Sequence, residues 1–130
     1  MKKILYVDDE KVEQDKFLLA SRAHKDLEIQ IESQGSNVLT RVNENPPDIL
    51  VVDWKLTFEQ ENKDIHFTDG IVVARSVRRI YPYMPIIILT SLPIGKAELD
   101  AEVEDPLTRH FSKRNEWVDI FSLLEKMFKV

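Results

Sequence analysis

Three apolar tetrads constrain this chain more than any other feature: Ile4-Leu5-Tyr6-Val7, Ile49-Leu50-Val51-Val52 and Ile86-Ile87-Ile88-Leu89. None has the in-out alternation of a half-exposed strand. Short runs apolar on both sides read as strands buried on both faces, and that describes the centre of a parallel sheet covered by helices. The first run leads into Asp8-Asp9-Glu10, the second into Asp53 and the third into Thr90-Ser91. In an open α/β sheet, ligands bind just beyond the carboxyl ends of the strands. The polar residues therefore converge on one rim although they are far apart in sequence.

The segments between the runs fit the same plan. Residues Lys11 to His24 read as a helix, with Val12, Phe17, Leu19, Ala20 and Ala23 mostly inward. Leu27, Ile29 and Ile31 alternate with polar residues, as an edge strand does. Asn37 to Glu44 reads as a short helix stopped by Pro46-Pro47. Val73, Ala74, Val77, Ile80 and Tyr81 place a helix over Gly70 to Tyr81. Ile94 to Val103 reads as a weaker helix, Thr108 to Ser112 as a fifth strand, and Trp117, Ile120, Phe121, Leu124 and Phe128 as the stripe of a C-terminal helix. Strands alternating with helices imply right-handed crossovers and helices on both faces. The predicted fold is a flavodoxin-like three-layer α/β/α sandwich, with a five-stranded parallel sheet in the order 2-1-3-4-5 and one domain over residues 1–130.

Composition narrows the function. Of the 130 residues, 43% are hydrophobic and 32% charged, so a packed core is expected rather than a disordered chain. The formal charge of -5 argues against binding to nucleic acid or a membrane surface. There is no cysteine, hence no disulfide framework or thiolate chemistry. No apolar run approaches the roughly 20 residues of a bilayer span, and the four apolar residues after Met1-Lys2-Lys3 are no signal peptide. A cytoplasmic protein is expected.

Taken one at a time, the rim residues are ambiguous. Acids after a strand cap the next helix, Thr-Ser pairs do the same, and a lone lysine is usually a surface lysine. Together they are not. Asp8-Asp9 after the first strand, Asp53 after the third, Thr90-Ser91 after the fourth and Lys113 after the fifth resemble the response-regulator receiver domain of two-component signalling. The resemblance covers nearly the whole chain. It implies that Asp53 is the nucleophile that accepts a phosphoryl group. It implies Mg²⁺ held by Asp8, Asp9, Asp53 and the backbone carbonyl of Lys55, an all-oxygen set that suits this ion. It implies that Lys113, Thr90 and the Ser91 backbone N–H hold the phosphoryl oxygens. Thr90 and the residue at His110 would then act as the switch pair. The implied partners are a histidine kinase or histidine phosphotransfer protein and a downstream protein target or output domain. A homodimer could form through the face made by the 94–103 helix, the 108–112 strand and the C-terminal helix. The chain would be a phosphoacceptor, not an enzyme with its own output domain.

The chain departs from the family pattern in several places. His110 stands where the family has an aromatic residue. Thr57 replaces a frequent proline, and Arg114 replaces the proline that often follows the lysine. Lys55 and Leu92 occupy positions that tune the lifetime of the acyl phosphate. Residues 55–68 are long for a strand-to-helix connection, which usually takes roughly 2–6 residues. These departures keep open a second reading, a receiver-like docking module that works without phosphorylation. Two enzyme readings fit less well. A haloacid-dehalogenase-type phosphatase needs an acid where Lys55 stands, and a flavin binder needs a phosphate cradle where Asp8-Asp9 would repel phosphate.

Overall fold

The computed structural model describes residues 2–53, 70–90, 108–112 and 117–128. Five strands form one sheet: β1 (Lys2–Val7), β2 (Leu27–Glu32), β3 (Ile49–Asp53), β4 (Ile86–Thr90) and β5 (Thr108–Ser112). They lie in the order β2-β1-β3-β4-β5, and every pairing is parallel. This is the predicted topology. The described helices are α1 (Lys11–Ser21), α2 (Val38–Glu44), α3 (Gly70–Ile80) and a C-terminal helix (Trp117–Phe128). The helix expected over 94–103 lies outside the described residues. Among the described residues no helix is long and apolar enough to cross a membrane.

The alternation of side chains along each strand divides the core in two. Leu5, Val7, Leu50, Val52, Ile86 and Ile88 pack with Val38 and Val42 of α2 and with Val73, Ala74 and Val77 of α3. On the other face Ile4, Tyr6, Ile49, Val51, Ile87 and Leu89 pack with Phe17 of α1 and with Ile120, Phe121 and Leu124 of the C-terminal helix. The tetrads are continuous because each strand feeds both cores. Each fully buried aliphatic side chain contributes roughly 1.5–3 kcal/mol.

The first helix differs from its sequence reading. Phe17 is buried and Ala20 packs at the core margin, but Val12 and Leu19 are each 62% exposed. Gln14, a polar residue, takes an inward position instead. The helix also stops at Ser21, short of His24. There, i→i−3 bonds replace the α-helical pattern: Arg22 N–H to Leu19 at 3.2 Å and His24 N–H to Ser21 at 2.8 Å. The Ser21 hydroxyl donates to the Leu18 carbonyl at 2.7 Å, competing with the helix. In α3, Val73, Ala74 and Val77 are buried as predicted, Tyr81 packs at the core margin, and Ile80 is half exposed. Arg78 closes the turn after α3: its guanidinium donates to the carbonyls of Tyr81 (3.2 Å), Pro82 (3.1 Å) and Met84 (2.5 Å).

Among the described residues β2 is one edge of the sheet, paired with β1 alone. Leu27 is buried, Ile29 and Ile31 are half-buried, and Glu28 is exposed.

Candidate functional site

The sheet brings Asp8 and Asp53 to the same rim. Strands β1 and β3 are neighbours with Val7 opposite Val52, so the next residue on each strand's path is an acid. One carboxylate oxygen from each of Asp8, Asp9 and Asp53 lies within 4.8 Å of the other two. Asp8 is wholly buried, Asp53 is 5% exposed and Asp9 is half-buried. Among the described residues this is the one such group of acids.

The cluster does not owe its place to helix capping. Glu10 is the N-cap of α1 and makes no side-chain capping bond. Asp8 is held instead from three directions. Its Oδ1 accepts the Glu10 backbone N–H at 3.0 Å, and its backbone carbonyl accepts Gln14 Nε2 at 2.6 Å. Its Oδ2 accepts the Tyr6 hydroxyl at 2.6 Å, the length of a charge-assisted O–H···O⁻ bond. Tyr6 and Asp8 are two residues apart on a strand, so they share a face. Burial pushes the Tyr6 phenol far above its ordinary range. The charge of Asp8, its hydrogen bond and the charge of Asp53 act in the same direction. Tyr6 is therefore a fixed donor. Glu32, another rim acid, stands apart: its carboxylate takes the Gln34 N–H at 2.9 Å and Arg41 at 3.4 Å.

The donor set fits a small hard cation. The three carboxylates offer the hard oxygen donors that Mg²⁺ takes. Without a cation the three carboxylates repel one another: an ionised pair 4.8 Å apart costs about 3.5 kcal/mol for an effective dielectric constant near 20.

The remaining expected site residues are less fully placed. Thr90 ends β4 opposite Ser112 of β5, and His110 lies opposite Ile88 in the same ladder. Asp53 pairs with Leu89, one residue before Thr90, so the ends of β3 and β4 reach the same rim. For Thr90 and His110 the described feature is the backbone. Lys55, Thr57, Ser91, Leu92, Lys113, Arg114 and the 55–68 segment lie outside the described residues. Two residues that the sequence reading passed over touch Asp8 directly, Tyr6 and Gln14. For Tyr6 the signal was present, a polar tip in an otherwise aliphatic strand two positions before an acid. For Gln14 there was none.

Comparison with known proteins gives a fold. No protein-family model matches the chain, and no curated protein matches it. Solved structures do. A signal receiver domain of an HD domain-containing protein from Pseudomonas fluorescens superposes with a TM-score of 0.78 at 18% identity, covering 98% of this chain and 94% of that one. A CheY-like response regulator receiver domain protein from Methanospirillum hungatei gives 0.78 at 16% identity, covering 99% and 94%. A two-component response regulator of the LuxR family from an Aurantimonas species gives 0.80 at 19% identity, covering 98% and 84%. With its parallel sheet, its strand order and these neighbours, the chain has the fold of a response-regulator receiver domain.

Proposed function

We propose that this chain is a phosphorylatable signalling receiver whose acceptor is Asp53. The observation that carries the proposal is the meeting of Asp8, Asp9 and Asp53 at the carboxyl ends of adjacent strands on a receiver fold. A carboxylate oxygen of Asp53 attacks the phosphorus of a phosphohistidine. The P–N bond breaks, and the imidazole leaves with the electron pair and takes up a proton. Asp8, Asp9 and Asp53 would hold Mg²⁺, with the Lys55 carbonyl as a further ligand; when bound, the ion offsets negative charge on the carboxylates and the phosphoryl oxygens. Lys113, Thr90 and the Ser91 N–H are assigned to the transferred group, and Thr90 with His110 to the switch.

The proposed donor is a histidine kinase or histidine phosphotransfer protein. The proposed output is altered binding to a protein target or output domain, or to a second copy through the face assigned to the 94–103 helix, the 108–112 strand and the C-terminal helix. The proposed activity is that of a phosphoacceptor in the cytoplasm.

Incubation with acetyl phosphate and Mg²⁺, read by intact mass, tests this. Wild type is expected to gain one phosphoryl group, and Asp53→Asn is expected to gain none. No adduct on wild type, or an equal adduct on both, would sink the proposal. The first of those results would leave the phosphorylation-independent docking module as the better reading.

A further inference from the structure

We infer that the Tyr6 hydroxyl is a positioning group for the acidic site, fixing Asp8 in the orientation from which a divalent cation is held. The inference rests on the phosphoacceptor reading above and adds to it a residue from the strand interior.

Tyr6 is wholly buried in the middle of an apolar strand. A phenol there needs a partner for its O–H, and a phenylalanine would fill the same space without that need. The ring has little freedom. It stacks on Phe17 with centroids 4.2 Å apart and planes at 22°, and Phe17 in turn meets Phe121 at 5.1 Å. Packing thus sets where the hydroxyl sits, and the hydroxyl sets Asp8 Oδ2 at 2.6 Å. The Glu10 N–H fixes the other oxygen, and Gln14 fixes the backbone carbonyl. A rigid aromatic stack and a helix start therefore converge on one carboxylate, and a buried amide holds the backbone of the same residue. Asp9 is the next residue, so the backbone path that locates Asp8 also locates Asp9. Groups that orient ligands from behind in this way typically matter by 10–100-fold in metal affinity.

The test is the Tyr6→Phe variant, which keeps the ring stack and removes the hydroxyl. Mg²⁺ titration by calorimetry should show a dissociation constant raised about 10-fold or more over wild type. The ¹³C chemical shift of the Asp8 carboxyl carbon, read in metal-free protein, should move as well; a general loosening of the fold would not single out that resonance. Replacing Tyr6 by 3-fluorotyrosine keeps the ring and strengthens the donor, so the same resonance should move the opposite way. This holds the inference to account even if Tyr6→Phe folds poorly. Asp9→Asn and Asp53→Asn serve as references. If both bind Mg²⁺ as wild type does, the site reading itself fails. If both lose binding while Tyr6→Phe binds normally, or if the Asp8 resonance stays put, the role of Tyr6 alone is overturned.

Discussion

Replacing Asp53 by asparagine should make the metal-free protein more stable. The acid sits within 4.8 Å of both Asp8 and Asp9 and is 5% exposed. Each ionised pair at that separation is unfavourable by about 3.5 kcal/mol at an effective dielectric constant near 20, and Asp53 takes part in two. Asn keeps the shape, removes the charge and adds two N–H donors facing carboxylates. Solvent reaches half-buried Asp9, and counterions screen what remains, so the full sum will not be recovered. A gain of about 1–3 kcal/mol is expected after that discount. For a chain of this size it corresponds to roughly 3–10 °C in Tm. The assay is urea unfolding followed by circular dichroism, in EDTA at low salt, with equal slopes for the two proteins. Adding Mg²⁺ should stabilise wild type and close the gap, because a ligand that binds only the folded state stabilises it by mass action. If the variant is no more stable than wild type in EDTA, the carboxylates are not opposed as described.

Other perturbations separate the parts of the fold. Phe17→Ala empties the space between Tyr6 and Phe121 and should cost about 3–5 kcal/mol in urea unfolding. Arg78→Ala strips donors from three carbonyls of the turn after α3; a loss of about 1–3 kcal/mol is expected, with faster amide exchange at Met84. Val12→Ser and Leu19→Ser alter exposed positions of α1 and should each stay within about 0.5 kcal/mol of wild type by the same measurement.

The legible part of the fold was the part governed by burial on both faces. The tetrads at Ile4, Ile49 and Ile86 could be read without tertiary information because an unbroken apolar strand has few places to go. The acids that follow them were legible for the same reason, since strand ends define a rim. Helix α1 was harder. Its apolar residues fall all round the cylinder, so periodicity could not tell that Val12 and Leu19 face outward while Gln14 turns in. Gln14 is drawn in by a backbone carbonyl six residues earlier, a partner that no local pattern announces. The far end of α1 was misjudged because serine's bond to the preceding turn and the i→i−3 bonds at its end are local competitions of similar energy. Tyr6 was read as one more apolar strand residue, which its ring is; its hydroxyl belongs to the site.

Strand β2, paired on one side only among the described residues, carries a further consequence for the free protein. An open row of N–H and C=O groups invites other chains to add strands and start aggregates. The sequence Leu27-Glu28-Ile29-Gln30-Ile31-Glu32 interleaves its apolar residues with two carboxylates and an amide. Charge at Glu28 penalises a second copy laid alongside in register, since like charges would meet across the seam. Substituting Glu28 by valine would leave the interior packing untouched yet convert a guarded border into a sticky one, a hazard set by colloidal behaviour rather than by folding energy.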